Sequence, residues 1–206
     1  EKLLKAIPDA RLNTPVRSVR RMRGSGQVSV ATDAGTELFD DVVLACHSDQ
    51  SLALLADALP AERAVLAAVR YHPNRAVLHT DTSVMPQTKL AWAAWNYERA
   101  SDEGQESARV CLHYLLNKLQ PLPFEQAVVV SLNPTKPIDP TKIIASIDYA
   151  HPVFDLAAID AQQHLPEIQG QQHTWFAGAW MGYGFHEDGL KAGLGVARQL
   201  LQDLKR

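Results

Sequence analysis

The stretch TWFAGAWMGYGFHEDGLKAGLGVARQL, residues 174–200, decides how the rest of the chain is read. An almost wholly apolar run from Thr174 to Trp180 enters a turn dense in glycine, aromatic and acidic residues. The turn opens a helix on which Leu190, Leu194, Ala197 and Leu201 recur at helical spacing and predict the buried stripe. Gly193 and Ala197 are small enough for that helix to lie close to a sheet. A helix N-terminus carries unpaired N–H groups and about half a positive charge. Glycines at its opening, Gly182, Gly184 and Gly189, leave the backbone bare for a ligand such as a phosphate or an anionic ring. The same glycines also fit a plain tight turn with Asp188 as the helix cap.

Upstream, DVVLAC (41–46) has the same continuous apolar style, that of a strand covered on both faces of a parallel sheet. Before it, residues 14–39 alternate and are broken at GSG and DAG, which predicts a meander of short antiparallel strands. Ser48 or Asp49 is placed to cap a helix over QSLALLADAL, and Pro60 to open another. Residues 60–169 differ in character. NRAVLHTD, KLAWAAWNYER, ARVCLHYLL, AVVVSLNP and IIASIDY read as strands, and FDLAAIDAQQHLPEI as one helix. The expected fold class is therefore α/β with α+β mixing. Strands 41–46 and 174–180 share one sheet, and a separate mixed sheet is inserted between them. The expected domains are 1–59 with 170–206, and 60–169. Ligands of α/β sheets sit at the carboxyl ends of parallel strands, where both ACHSDQ and GAWMGYGFHEDG fall.

Composition excludes several classes. The formal net charge of −3 offers no basic balance for nucleic acid or an anionic membrane surface. No run is long and apolar enough to predict an integral membrane segment. Two cysteines, Cys46 and Cys111, make no disulfide framework, and a reducing cytoplasm is the expected setting. Eight histidines occur, but without His-Glu-x-x-His, Cys-x-x-Cys or tight carboxylate spacing, so no metal is expected. Gly-x-Ser-x-Gly is also absent.

The order of meander, buried strand, capped helix, aromatic-rich insertion, buried strand, glycine turn and small-residue helix resembles the C-terminal half of the flavin-containing amine oxidase and phytoene desaturase superfamily. Its bacterial NAD/FAD-binding branch is the nearest in style. The resemblance rests on FDDVVLACHSDQSLALLAD, NRAVLHTD, AWAAWNYE, VSLNPTKP and FAGAWMGYGFHEDGLKAGLGVA. It implies part of a Rossmann-like FAD-binding domain with its meander, interrupted by a substrate-binding domain. It also implies an FAD-dependent oxidoreductase that removes hydride from a C–N or C–C bond of a small-molecule substrate. Gly189, Leu190, Gly193 and Ala197 align with the family's closing helix, and Ala192 stands where serine is usual. The implied cofactor contacts are Gly178, Ala179, Trp180, Gly182, Tyr183, Gly184, Gly189 and Leu190. Two features depart from the family. Ala179 occupies the place of the acid that holds the ribityl chain, for which Asp188 or Glu187 are the possible substitutes. No Gly-x-Gly-x-x-Gly in a βαβ unit is present to hold the pyrophosphate. With Glu1 in place of a starting Met, this predicts a C-terminal piece whose partner is its own missing N-terminal half, and which alone binds FAD weakly or not at all.

Trp95, Tyr97 and Phe185 are the candidate walls of a substrate pocket, although aromatics on half-buried strands more often serve a core. If Trp92 and Trp95 share a strand, they face opposite ways. His186 and His47 are weak catalytic candidates beside the turn, each equally readable as a surface or capping histidine. Cys46 reads as a small apolar residue. Two other readings stay open: a non-catalytic lipid- or protein-binding module on the same architecture, and a flavin-dependent isomerase or reductase.

Overall fold

The computed structural model describes residues 4–98 and 111–203. In chain order the elements are β1 (Val16–Met22), β2 (Gln27–Thr32), β3 (Gly35–Phe39), β4 (Val42–Leu44), α1 (Ser48–Leu54), α2 (Pro60–Ala68), β5 (Arg70–His79), β6 (Trp95–Glu98), β7 (Cys111–Leu115), α3 (Leu116–Leu119), β8 (Val129–Leu132), β9 (Ile143–Val153), α4 (Leu156–Gln163), α5 (Leu165–Ile168), β10 (Thr174–Phe176) and α6 (His186–Asp203). They form two compact units, residues 1–70 with 152–206 and residues 71–151. The division thus falls later than 59/60 and earlier than 169/170. The reason is that α2 packs on α1 and α4, and so belongs with the first unit.

In the first unit β1, β2 and β3 form the expected antiparallel meander, with Val19 opposite Val30 and Arg21 opposite Val28. β4 and β10 pair in parallel, Val42 to Thr174, Val43 to Trp175 and Leu44 to Phe176. The two apolar runs therefore share a sheet, in shorter strands than their apolar lengths. Every residue of β10 is buried, whereas Val43 of β4 is 43% exposed, so coverage on both faces holds for β10 alone. The expected single helix over 154–168 is two helices, α4 and α5, broken at His164. Pro166 in the first turn of α5 lacks the N–H that a continuous helix would need.

A buried arginine ties this unit together. Arg21 Nε donates to Thr174 Oγ1 (3.0 Å) and its guanidinium donates to Asp57 and to Glu62, which is fully buried. Glu62 also accepts from the Leu59 amide (2.7 Å), capping α2. One side chain thereby joins the meander, the α1–α2 connection, the start of α2 and β10.

The second unit is built on a five-stranded sheet in the order β6-β7-β8-β5-β9, antiparallel where β6 meets β7, β7 meets β8 and β8 meets β5. Trp92 is not on a strand. It follows a 3-10 turn, donates Nε1–H to Pro86 O (2.8 Å) and packs against Val84, Met85, Leu115 and Val129. Trp92 and Trp95 therefore do not alternate along one strand. Among the described residues no helix is long and apolar enough to cross a membrane.

Candidate functional site

At the carboxyl ends of β4 and β10 the chain makes two turns that lock together. The Ala177 amide donates to Leu44 O (3.0 Å), continuing the parallel ladder. Residues 179–181 then form a 3-10 turn whose Trp180 indole N–H donates to Cys46 O (3.2 Å). Gln162 of α4 donates to Trp180 O (3.0 Å) and Gly182 O (2.7 Å), fixing the turn from below. Asp188 accepts from the Tyr183 and Phe185 amides at 3.0 Å each, so the turn entering α6 is tied down by a carboxylate from the helix's first turn.

These contacts sort the glycines by what they make room for. A Cβ on Gly178 would lie 2.5 Å from Trp180 Nε1, and one on Gly182 would lie 2.6 Å from Asp188 Cγ. Both positions are bare because the chain's own side chains fill the space. Gly184, at φ +86°, adopts a left-handed conformation that side chains rarely tolerate, and Phe154 lies against it. A Cβ on Gly189 would meet only Ala179, at 3.7 Å and beyond, and Gly193 faces open space. Gly189, with Ala179 as its nearest neighbour, and Gly193 one turn on thus leave backbone of α6 uncovered.

Several candidates change role. Trp180 is 3% exposed and is a wedge between the two turns. Asp188 is occupied as a cap and is not a free substitute for the missing ribityl acid. Tyr183 and Phe185 are exposed, at 65% and 64%, with Tyr183 tilted against Phe154 at 6.2 Å. His47, not Ser48 or Asp49, is the N-cap residue of α1, and its amide donates to Gln50 Oε1 (3.2 Å). His186 is the exposed first residue of α6. Both histidines thus have positions that need no ligand. The buried stripe of α6 also differs from expectation. Val196, with Ala192 and Leu200, packs on Trp175 and Ala177, while Leu190, Leu194 and Leu201 are 58%, 45% and 58% exposed. Leu190, Leu194 and Leu201 form an exposed apolar stripe among the described residues.

In the second unit the ladder Trp95–Tyr114 and Tyr97–Leu112 sets Trp95, Tyr97, Tyr114 and Leu112 on one sheet face. Trp95 is 59% and Tyr97 69% exposed, and Trp95 stacks edge-on against Tyr114 at 5.4 Å. Phe185 belongs to the other unit. The opposite face carries Asn96, Glu98, Cys111, His113, Ser131 and His79, a polar set that contiguous spacing did not reveal. Cys-x-His within a strand was the available signal, since alternate residues share a face. Burial pushes the Cys111 thiol up. Burial would also raise Glu98, but hydrogen bonds from Lys136, His113 and Thr135 outweigh it and hold the carboxyl at about 2.

No family model matches the chain, and no curated protein does. Solved structures do. The chain is similar to a fatty acid isomerase from P. acnes that produces CLA, with a TM-score of 0.64 and 15% identity, over 96% of this chain and 50% of that one. It is similar to a putative protoporphyrinogen oxidase from Exiguobacterium sp. 255-15, with a TM-score of 0.63 and 15% identity, over 100% and 50%. It is also similar to cyclohexylamine oxidase from Brevibacterium oxydans IH-35A, with a TM-score of 0.59 and 14% identity, over 93% and 49%. Parallel pair, meander, glycine turn and inserted sheet together are the fold of about half of a flavin amine oxidase or protoporphyrinogen oxidase chain.

Proposed function

We propose that this chain forms the closing part of an FAD site and the substrate-binding unit of an FAD-dependent oxidoreductase of the amine oxidase type. The observation that carries the reading is the ledge of Ala179, Gly189 and Gly193 at the carboxyl ends of a parallel strand pair, within a fold that spans half of amine-oxidase-type chains. The bare backbone fits a flat ring or ribityl chain laid against it, since no side chain intrudes. The capped turn does not fit a pyrophosphate, because Asp188 takes the Tyr183 and Phe185 amides and places a carboxylate there. FAD, when bound, accepts the hydride equivalent from a C–N or C–C bond. The chain's own residues orient and exclude water. Trp180 and Gln162 hold the ledge rigid, and the Trp95–Tyr97–Tyr114 face is the wall for an apolar substrate portion. The exposed leucines of α6 are the surface on which the remaining half of such a protein packs.

The likeness to a fatty acid isomerase supports a second reading, flavin-assisted movement of a double bond without net oxidation. Full-length protein is expected to absorb in the visible from bound flavin, and colourless, folded protein would overturn the proposal. Under anaerobic conditions an amine that bleaches the flavin supports oxidation. An unsaturated fatty acid that is converted with no lasting bleaching supports isomerisation.

A further inference from the structure

The buried face of the five-stranded sheet brings together three side chains that can ligate a metal. β7 points Cys111 and His113 the same way, and the β6–β7 ladder sets Glu98 directly opposite Cys111. Cys111 Sγ lies 3.6 Å from His113 Nε2 and 3.7 Å from Glu98 Oε2, and Nε2 lies 3.1 Å from Oε2. A tetrahedral zinc ion, with bonds of about 2.3 Å to sulfur and about 2.0–2.1 Å to nitrogen and oxygen, spaces its ligands at about 3.5 Å for the sulfur pairs and about 3.3 Å for nitrogen and oxygen. The three edges already match one face of that tetrahedron to within a few tenths of an ångström.

The surroundings are those of a supported ligand set. His113 Nδ1 meets Ser131 Oγ at 2.7 Å, and Ser131 Oγ meets His79 Nε2 at 2.7 Å. The Asp81 amide donates to His79 Nδ1 (3.1 Å), so His79 carries its proton on Nε2 and gives it to Ser131. Glu98 Oε1 is held by Lys136 at 2.5 Å. A ligating histidine characteristically anchors its second ring nitrogen in this way. Cys111 and His113 are each 1% exposed, and the Glu98 side chain is 17% exposed.

We propose that Glu98, Cys111 and His113 form a tripodal site for a zinc-class divalent cation, binding through carboxylate, thiolate and imidazole Nε2, with water in the fourth position. Without the ion, Ser131 O–H donates to His113 Nδ1, and His113 Nε2–H donates to Glu98. On binding, His113 moves its ring proton from Nε2 to Nδ1 and donates to Ser131, whose oxygen then accepts from both histidines with its two lone pairs. Cys111 releases one proton to solvent. Cation, thiolate and carboxylate then sum to zero charge, so the buried site carries no net charge. A thiolate among the ligands favours zinc over magnesium or calcium. The bound ion would fasten β6 to β7.

Metal-free 206-residue chain titrated with Co²⁺ tests this. One equivalent is expected to produce a thiolate-to-cobalt charge-transfer band with the visible bands of a tetrahedral ion, all displaced by Zn²⁺. Cys46→Ser keeps the band, which assigns it to Cys111 because the chain has only these two cysteines. Cys111→Ser abolishes it. Ser131→Ala keeps the band but weakens Zn²⁺ binding about 10–100-fold, the effect of losing a group that orients a ligand. Absence of the band in the wild-type chain, or its loss on Cys46→Ser, overturns the proposal without relying on a variant of the buried cluster.

Discussion

Replacing Arg21 by Met tests whether one buried ion pair holds the first unit in register. The substitution keeps the apolar stem and removes four side-chain hydrogen bonds, to Thr174 Oγ1, to the carbonyl and carboxylate of Asp57, and to Glu62. Glu62, fully buried, would keep only the Leu59 amide as a partner. Removing one partner of such a pair costs about 3–5 kcal/mol, most of it from the uncompensated charge left behind. At about 2–8 °C per kcal/mol for domains near this size, Arg21→Met should lower the melting temperature of the unit by roughly 6 °C or more. Glu62→Gln alone leaves the Arg21 guanidinium short of a counter-charge. The double variant Arg21→Met/Glu62→Gln removes both charges, leaves an amide oxygen for Leu59, and should recover most of the loss. Urea unfolding followed by circular dichroism gives the free energies. Hydrogen exchange at α2 and β10 locates the loss, which matters because two units need not unfold together. A cost under about 1 kcal/mol for Arg21→Met, or a double variant as unstable as the sum of the singles, would refute the reasoning.

Gly189→Val in the full-length protein should leave the chain folded, because an added Cβ meets Ala179 only at ordinary contact distance. It should nonetheless lose flavin; wild-type flavin stoichiometry, read from absorbance, would remove this ledge from the cofactor site. Leu190→Asp with Leu194→Asp should change the stability of the 206-residue chain by no more than about 1 kcal/mol each, since the two residues are 58% and 45% exposed. In full-length protein the same pair should lower the melting temperature and flavin retention; an unchanged full-length protein would mean that the stripe is not covered. Acidification should weaken the second unit in two steps. Burial holds His79 below its ordinary 6.5, so its contribution is present above pH 6.5 and is lost as pH falls through the lowered value. The Asp139 and Ser83 amides and Lys142 hold Asp81 well below 3.8, so a second loss, shared with Glu98, follows in the carboxylate range, and Asp81→Asn should shrink this second step. A melting temperature of this unit that stays flat from pH 7 to 4 would contradict the first step.

What was legible in the sequence was whatever depends on near neighbours. Alternation broken at GSG and DAG specified the meander, and two continuous apolar runs, DVVLAC and TWFAG, specified strands that belong side by side, although only β10 is covered on both faces. The glycine turn into α6 was legible for the same reason, since few other residues suit that path. Tertiary structure decided which side of each element meets what. Leu190 and Leu194 have the spacing of a buried stripe, yet Ala192, Val196 and Leu200 pack on the sheet, because the placement of β10 sets which side of α6 is covered. Gly182 reads as room for a ligand, yet Asp188 fills that room. Glu98, Cys111 and His113 carry no contiguous motif. Pairing of β6 with β7 brings them within a ligand's reach of one another. Local pattern fixes the type and rough extent of an element, whereas burial, close approach and ligand geometry depend on distances between residues far apart in the chain, which only the folded backbone sets.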